Sequence, residues 1–327
     1  MVDSIDFNEI KIIEDEPELM DILLSDRSSK KNIKWCTDNY KRYGLGFSST
    51  DYIKKELFLM RNRIHFIKPR VLKSQTEQKK RSKDMAEVFT PSWVCNKQNN
   101  LIDDEWFGYS GSFNEEKENS WVSKERVTFK DGKIWQDYVD LERMEITCGE
   151  APYLTSRYDT TNGSYINPKD RIGLLDRKLR VISENVDDKE EWMKYAKIAY
   201  QRIYGYEYQG DNLLIARENL LMTFVEFYTD KFGKEPIYDD IKAIAEIISW
   251  NIWQMDGLKY VVPESCHEEE RVQLSLFPEW EPEPEFCAGC KSGNIYKHNG
   301  IYCKIKDWKA NKTIKFVDMI QGGNFYA

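Results

Sequence analysis

Four side chains near the carboxyl end of the sequence have the types and spacing of a metal site. They are Cys287, Cys290, His298 and Cys303. Thiolates and an imidazole in so short a stretch suit tetrahedral zinc, and Cys266 or His267 are alternatives to the histidine. The other interpretation is a hairpin with reduced thiols. If zinc binds, it holds together a segment too small to fold alone, and the lysines that follow are available to DNA or to a partner chain.

Three apolar runs in the middle of the chain each carry an acidic residue, and in the first and third runs a glycine follows the acid. Glu145 precedes Gly149, Glu207 ends the second run, and Asp256 precedes Gly257 in the third. On a parallel sheet, a glycine lets the backbone approach a nucleotide-type cofactor, and an acid on the next strand can bind both ribose hydroxyls. Each piece alone also has a structural explanation, because glycine and Asp-Gly are common in turns.

The elements that must position these residues alternate between strands and helices. The runs MEITCGEAPYL and IYGYEYQ have the apolar, β-branched and aromatic content of short strands. The runs DNLLIARENLLMTFVEFY and IYDDIKAIAEIISWNIWQMDGL have the spacing of helices. This alternation predicts an α/β fold in which crossover helices connect parallel strands.

The order of these pieces resembles the DNA adenine-N6 methyltransferases of restriction-modification systems, known as restriction endonuclease subunit M. EVFTPSWV is similar to the family's FTP motif, EITCGEAPYL to its methionine loop, YGYEYQ to its ribose segment and NIWQMDGL to its adenine turn. The resemblance covers roughly residues 85 to 260 and implies a Rossmann-like S-adenosylmethionine methyltransferase core acting on double-stranded DNA. It places around the cofactor Phe89, Thr90, Pro91, Glu145, Cys148, Gly149, Glu207 and Asp256.

The chain departs from the family pattern in the cofactor region. Ala151 and then Pro152 stand where the family has its second loop glycine, which makes the backbone stiffer. A long insertion, residues 155–203, contains RIGLLDRKLRVISENV. Asp176 in that run is either a ligand contact or part of an exposed or interdomain charged face, and we expect the charged face.

The catalytic motif of the family is absent from the sequence. Methylation of an exocyclic amine needs an Asn or Asp side chain and an aromatic ring beside the flipped base, which the family supplies as Asn-Pro-Pro-Tyr. Only Asn167-Pro168-Lys169 and Glu235-Pro236-Ile237-Tyr238 come near it, and both precede the Asp256 segment. We therefore expect a partner polypeptide to supply the catalytic loop and target recognition, unless the gene product is truncated. The rival hypothesis is a noncatalytic DNA-binding or assembly protein with a degenerate methyltransferase fold. The sequence shows no convincing Asp and Glu-x-Lys arrangement of a metal-dependent nuclease.

Composition distinguishes four regions along the chain and restricts the kinds of partner that it can have. We expect a helical and basic N-terminal region (1–84), a cofactor-binding domain (85–263), a linker (264–286) and a small Cys-rich segment (287–327). Lysines and arginines are concentrated between Arg61 and Lys83, where they serve either phosphate contact or a solvated loop. With 48 basic and 56 acidic residues the chain is not a basic body. It has no apolar run of about 20 residues and begins with acidic residues, so we expect a cytoplasmic protein with reduced thiols and no membrane partner.

Overall fold

Helices make up most of the regular structure in the computed structural model of this protein, which describes residues 5, 7–60, 65–85, 87, 90–268 and 286–321. The helices within these ranges are α1 (Glu9–Asp15), α2 (Pro17–Leu24), α3 (Lys55–Leu59), α4 (Gln75–Met85), α5 (Ser92–Phe107), α6 (Trp135–Val139), α7 (Leu174–Asn185), α8 (Lys189–Gln201), α9 (Gly210–Phe232), α10 (Tyr238–Asn251), α11 (Ala288–Ser292) and α12 (Phe316–Gln321). Among the described residues, none of these helices combines the length and the apolar character that a membrane crossing requires.

The strands form small sheets. They are β1 (Ser25–Asp26), β2 (Lys31–Asn32), β3 (Asn114–Glu116), β4 (Trp121–Ser123), β5 (Arg143–Glu145), β6 (Ile203–Glu207), β7 (Ile252–Gln254), β8 (Lys304–Asp307) and β9 (Lys312–Lys315). β1–β2, β3–β4 and β8–β9 are antiparallel pairs. The pair β3–β4 and helix α6 lie in the stretch 104–143, for which the sequence predicts only an irregular connection.

The central sheet is parallel and has the order β5-β6-β7. Glu145 pairs with Gly205, and Glu207 with Gln254. Helices α7 and α8 connect β5 to β6, and α9 and α10 connect β6 to β7. The predicted α/β alternation is therefore confirmed. The run over residues 237–258, expected to be a helix leading into a turn at Asp256 and Gly257, instead contains α10 followed by β7.

The two faces of the central sheet are covered by different elements. Ile203 and Ile252 belong to the large core cluster, which also contains the apolar side chains of helices α7 to α10. Tyr204, Tyr206 and Trp253 belong to a smaller cluster with residues of β8 and α12. The C-terminal segment thus takes the place of a helix layer on one face.

The N-terminal region packs into the same large core cluster. The buried guanidinium of Arg217 in α9 donates to the carbonyl of Leu23 at 2.6 Å and to that of Ile252 at 2.8 Å. The Gln254 amide exchanges two hydrogen bonds of 2.8 Å with the backbone of Lys34. Since buried polar groups require partners, these contacts fix residues 23–34 against the last strand of the sheet.

The charged residues of α7 are buried, which contradicts the expected exposed or interdomain face. Asp176 is fully buried and accepts hydrogen bonds from the backbone N–H groups of Ser156 at 2.7 Å and Gly173 at 3.0 Å. Arg177 donates to Asp103 at 2.6 Å. Ser156 and Asp103 lie 20 and 74 residues away from these side chains in the sequence, so the helix periodicity could not reveal that the charges are compensated inside the fold.

The basic stretch between Arg61 and Lys83 is not a free cationic surface. Lys73 and Arg81 are buried. Arg81 bridges Glu87 at 2.6 Å and Asp211 at 2.8 Å, which ties α4 to the beginning of α9. Residues 61–64, including Arg61 and Arg63, lie outside the described residues. A phosphate-binding role for the whole stretch is therefore wrong for at least two of its cations.

Candidate functional site

A cavity of about 740 Å³ opens at the carboxyl ends of β5 and β6. This is the edge of a parallel sheet where ligands bind in α/β proteins, and the volume is that of a site for a drug-sized molecule or cofactor. The residues that line it are Glu87, Thr90, Asn99, Ile102, Met144, Glu145, Ile146, Thr147, Cys148, Gly149, Glu150, Pro152, Tyr153, Leu174, Glu207, Tyr208, Gln209 and Asn212.

The loop that follows β5 forms one wall of the cavity with an unusual backbone. Thr147, Gly149 and Ala151 have positive φ angles of 47°, 55° and 63°. This conformation strains a residue that carries a Cβ, yet Ala151 adopts it while fully buried. The loop therefore keeps a glycine-like path at the position where the sequence has alanine.

Glu207 closes the cavity at the end of β6. Its Oε2 accepts a hydrogen bond of 2.9 Å from the N–H of Gly149, and its Oε1 accepts one of 3.0 Å from the N–H of Gln209. Burial raises the pKa of this carboxyl above its ordinary value of 4.5, although the hydrogen bonds from Gln209 and Gly149 oppose the shift. The backbone of two loops thus fixes the position of the acid.

Glu145 ends the neighbouring strand and is held in the same manner. Its Oε2 accepts from the N–H of Leu154 at 3.2 Å, and its Oε1 from that of Tyr153 at 3.4 Å. Burial raises its pKa well above 4.5, and the charge of Glu207 acts in the same direction. Neither Glu145 nor Glu207 takes part in an ion pair within the described part of the chain.

Two acceptor atoms in residues of the cavity wall have no partner in the described structure. Glu87 bonds Arg81 through Oε2, but its buried Oε1 has none. The Asn99 amide donates to the carbonyls of Tyr153 at 3.0 Å and Ile172 at 2.9 Å, while its buried Oδ1 remains unsatisfied. Because an unsatisfied buried acceptor costs about 1–3 kcal/mol, both atoms are suited to accept from a ligand.

The cavity is acidic. Its lining includes four carboxyl groups, those of Glu87, Glu145, Glu150 and Glu207, and no Lys, Arg or His among the described residues. Arg81 compensates Glu87 from behind, and Lys73 lies near enough to Glu150 to lower its pKa against the effect of burial. A ligand that presents hydrogen-bond donors or positive charge fits such a wall better than an anion does.

The structure brings most of the sequence-predicted cofactor residues together. Thr90, Glu145, Cys148, Gly149 and Glu207 all line the cavity. The prediction for Pro91 is not matched, since it precedes α5 and is absent from the lining, and Phe89 lies outside the described residues.

Asp256, which the resemblance places beside the adenine, does not line the cavity. Its Oδ1 accepts from the N–H groups of Leu258 at 3.0 Å and Lys259 at 3.2 Å, and it forms an ion pair of 3.4 Å with Lys259. Asp before Gly commonly closes a turn in this way, and here the turn occupies the carboxylate.

Sequence reasoning missed the residues that complete the cavity from other elements. Asn99 and Ile102 come from α5, and Tyr208 and Asn212 flank the start of α9. The apolar side chains of Ile102 and Tyr208 remain 41% and 36% exposed at the cavity. Tyr208 directly follows the ribose-type acid and could have been found, whereas nothing local distinguishes Asn99.

A second constellation joins Cys266, Cys287, Cys290 and His298. Their ligand atoms lie within 4.8 Å of one another, and each sulfur is 3.6 Å from Nδ1 of His298. Zinc bonds of about 2.3 Å to sulfur and about 2.0 Å to nitrogen place tetrahedral ligands roughly 3.5–3.8 Å apart. The distances from the sulfurs to the imidazole nitrogen fall in this range, and the four side chains could hold a metal ion.

The local backbone supports this cluster. A Cβ on Gly289 would lie 2.6 Å from the backbone N of His298, so only glycine permits the close approach of α11 to the histidine. The pKa of Cys287 is lowered to about 6: burial opposes the thiolate, but hydrogen bonds from backbone N–H groups, first that of Asn299 at 3.3 Å, outweigh it. A thiolate is the form that binds a metal.

Cys303 is not part of the cluster, which corrects the predicted ligand set. It is fully buried in the smaller core cluster, where its thiol donates to the carbonyl of Gln254 at 3.3 Å. Cys266, an alternative at the sequence level, comes instead from the segment expected to be a linker. β8 begins directly after Cys303 and draws that side chain into the interior.

Compared with protein-family models, with curated proteins and with solved structures, the chain matches none.

Proposed function

We propose that this chain is the S-adenosylmethionine-binding component of a DNA adenine-N6 methyltransferase, and that a partner polypeptide supplies the catalytic loop. The observation that carries the proposal is the position of Glu207. Its carboxylate ends the second strand of a parallel sheet, beside Gly149 in the loop after the first strand, and both line one cavity. In parallel α/β sheets, an acid at this position binds the ribose hydroxyls of a nucleotide-type cofactor, and the glycine lets the backbone approach the cofactor closely.

The charge of the cavity supports the same ligand. S-adenosylmethionine carries a sulfonium and an ammonium group against one carboxylate, so its net charge is positive. Glu145 and Glu207 face it without an ion-pair partner in the described structure, and Glu87 and Asn99 offer unsatisfied acceptors. When bound, the cofactor supplies an electrophilic methyl group, while these residues orient it and neutralise its charge.

The proposed partner accounts for the family's catalytic motif, which this sequence lacks. Accepting hydrogen bonds from an adenine amine requires an Asn or Asp side chain with an aromatic ring nearby, and the sequence has no Asn-Pro-Pro-Tyr motif after Asp256. The outer edge of β5 pairs with no strand in the described part of the chain. A strand added at this edge would bring its following loop to the carboxyl side of the sheet, where the cavity opens.

The Cys266–Cys287–Cys290–His298 cluster is proposed to hold zinc in a structural role. Four protein ligands leave no open position for a substrate, which is typical of structural rather than catalytic zinc. The ion would join the segment after the sheet to the C-terminal segment that covers one sheet face.

Calorimetric titration with S-adenosylmethionine tests the cofactor assignment. We expect micromolar binding by the purified chain and a loss of roughly 30-fold or more in Glu207→Ala, because a hydrogen bond to a charged group contributes about 1.5–3 kcal/mol. Glu191→Ala, at an exposed position of α8, is the matched control and should bind like the original chain.

The alternative outcomes separate the hypotheses. If the folded chain does not bind the cofactor, the enzyme assignment fails and the assembly protein is favoured. If Glu207→Ala binds normally, the cofactor lies elsewhere. The partner requirement is tested separately: the chain alone should transfer no labelled methyl group to duplex DNA, and transfer by the chain alone would show that no partner is needed.

A further inference from the structure

The C-terminal segment differs in charge from the rest of the molecule. Residues 286–321 contain seven lysines and two aspartates, a net charge of +5 in a chain whose total is -8. They contain no arginine and no glutamate. A local basic region on an acidic protein is a feature that composition alone does not explain, because random placement of charges would make this segment acidic.

The β8–β9 hairpin concentrates this charge on one face. Lys304 lies opposite Lys315, and Lys306 lies opposite Thr313. Side chains of directly paired residues point to the same side of a ladder, and alternate residues share that side. Ile305 and Ile314 form the pair between these two pairs and point to the opposite side of the hairpin. Ile305 belongs to the smaller core cluster, and Ile314 packs against it. Lys304, Lys306 and Lys315 therefore project together to the solvent side, and we call this surface the lysine hairpin.

The lysine hairpin has no compensating anion of its own. In the part of the chain that the structure describes, Lys309 pairs with Asp140 at 2.7 Å, whereas no ion pair involves the three lysines of the hairpin face. Like charges directly opposite on a ladder are destabilising. The charges of the opposed Lys304 and Lys315 are not neutralised within the described structure, so this surface is suited to bind an external polyanion.

Two aromatic rings and the sheet hold this surface in place. The Nζ of Lys306 lies 4.2 Å from the Trp308 ring centroid, and that of Lys315 lies 5.3 Å from the Tyr302 ring centroid. The Trp308 indole donates to Oδ1 of Asn251 at 2.8 Å, and Asn251 ends α10 directly before β7. The hairpin is thus fixed to the same sheet whose other end forms the cavity.

We infer that the lysine hairpin binds the phosphate backbone of duplex DNA without reading its sequence. Alternate residues on a strand are about 7 Å apart, comparable to the spacing of successive phosphates along a DNA strand. The face carries lysines, which act as point charges toward phosphate, and no arginine fork or Asn–Gln pair that would recognise base edges. Contacts of this kind hold and orient DNA, while specificity must come from elsewhere.

The test is fluorescence anisotropy of the full-length, metal-containing chain with two labelled duplexes of unrelated sequence, over a range of salt concentrations. We expect both duplexes to bind alike. The triple variant Lys304→Gln, Lys306→Gln, Lys315→Gln should lose about tenfold or more in affinity at low salt. Its slope of log affinity against log salt should become shallower by about 2 to 3, since each lost phosphate contact contributes about 0.9.

A charge-matched control removes three lysines from α8: Lys189→Gln, Lys194→Gln, Lys197→Gln. Two of these also lie over aromatic rings, Lys189 over Tyr228 and Lys194 over Tyr195. This control should bind DNA nearly as the original chain does. Each triple variant loses two cation–π contacts of a lysine over an aromatic ring. Both variants should therefore melt alike and retain the metal, so lost folding would not explain a loss of binding confined to the hairpin variant.

Three results would overturn the inference: no DNA binding at low salt, equal loss in both triple variants, or displacement of DNA by polyglutamate as efficiently as by unlabelled duplex. The last would assign the face to an acidic protein. The inference identifies the surface that holds the proposed DNA substrate, but it is independent of the cofactor: a chain that binds DNA and not S-adenosylmethionine would keep it and lose the proposed function.

Discussion

In the cavity, backbone N–H groups hold the acidic side chains, whereas in the cysteine–histidine cluster side chains converge directly on one another. Glu207 and Glu145 each accept two hydrogen bonds from main-chain groups of the surrounding loops. The three sulfurs of the cluster instead surround Nδ1 of His298. The first site is formed by the fold and can exist before its ligand binds, while the second gathers side chains that the proposed zinc ion would hold together.

The largest expected effect comes from breaking the cluster. Cys290→Ser should abolish metal binding and destabilise the C-terminal segment by several kcal/mol, because structural zinc contributes on the order of 10 kcal/mol in small domains. Metal content and thermal unfolding are the measurements. Cys303→Ala should keep the metal although it disturbs the core. Metal loss in Cys303→Ala with retention in Cys266→Ser would restore the original ligand set, because the two sets differ only at these two cysteines.

The second prediction concerns pH and the buried acid of the first strand. The pKa of Glu145 in the folded protein lies well above 4.5 because of burial. The native state therefore holds this proton more tightly than the unfolded state does, and the contribution of Glu145 to stability falls as pH rises from about 4.5 through the raised pKa.

Glu145→Gln removes this dependence and should make the protein more stable than the original chain at pH 8, by about 1 kcal/mol or more. At pH 4 the difference should shrink. Urea unfolding at both pH values measures it, with Glu191→Gln as the exposed control. A variant that is equally destabilised at both pH values would show that the two accepted hydrogen bonds matter more than the charge.

The third prediction tests whether the acidic cavity favours a positively charged ligand. S-adenosylhomocysteine lacks the sulfonium charge, so it should bind about fivefold more weakly than S-adenosylmethionine. One unit charge near partly buried carboxylates contributes on the order of 1 kcal/mol after screening. Sinefungin, which carries an amine near that position, should bind like the cofactor. Calorimetry of all three ligands decides this, and a preference for the uncharged product would contradict it.

The smallest expected effect is at the loop after β5. Ala151→Gly relieves a φ of +63° at a buried position and should stabilise the protein by about 0.5 kcal/mol, since the lost strain exceeds the entropy gained by the unfolded chain. Gly149→Ala is the converse: its Cβ would meet no atom within 4 Å, so only the backbone strain of about 1 kcal/mol opposes it. Chemical denaturation measures both. If Ala151→Gly were less stable than the original chain, the packing of the Ala151 methyl group would contribute more free energy than its strained backbone costs.

The sequence predicted the sheet because its signals are local. Two of the three strands were readable from β-branched and aromatic content in MEITCGEAPYL and IYGYEYQ. The periodicity of residues 211–228 likewise predicted the helix that the structure extends over Gly210–Phe232. β7 was read as helix because three residues cannot establish a period of their own.

By itself the sequence determined the α/β alternation, the two acids at strand ends and the pair of cysteines around a glycine, since each depends on residues close together in the chain. Only the tertiary structure decided that Asn99 faces the cavity, that Asp256 is occupied by its own turn, and that Cys266 replaces Cys303. It also decided that the charges of α7 lie inside, where Asp176 and Arg177 find compensating partners. These outcomes depend on which distant groups meet in three dimensions, and a hydrogen bond or a ligand contact across dozens of residues leaves no period or spacing in a single sequence.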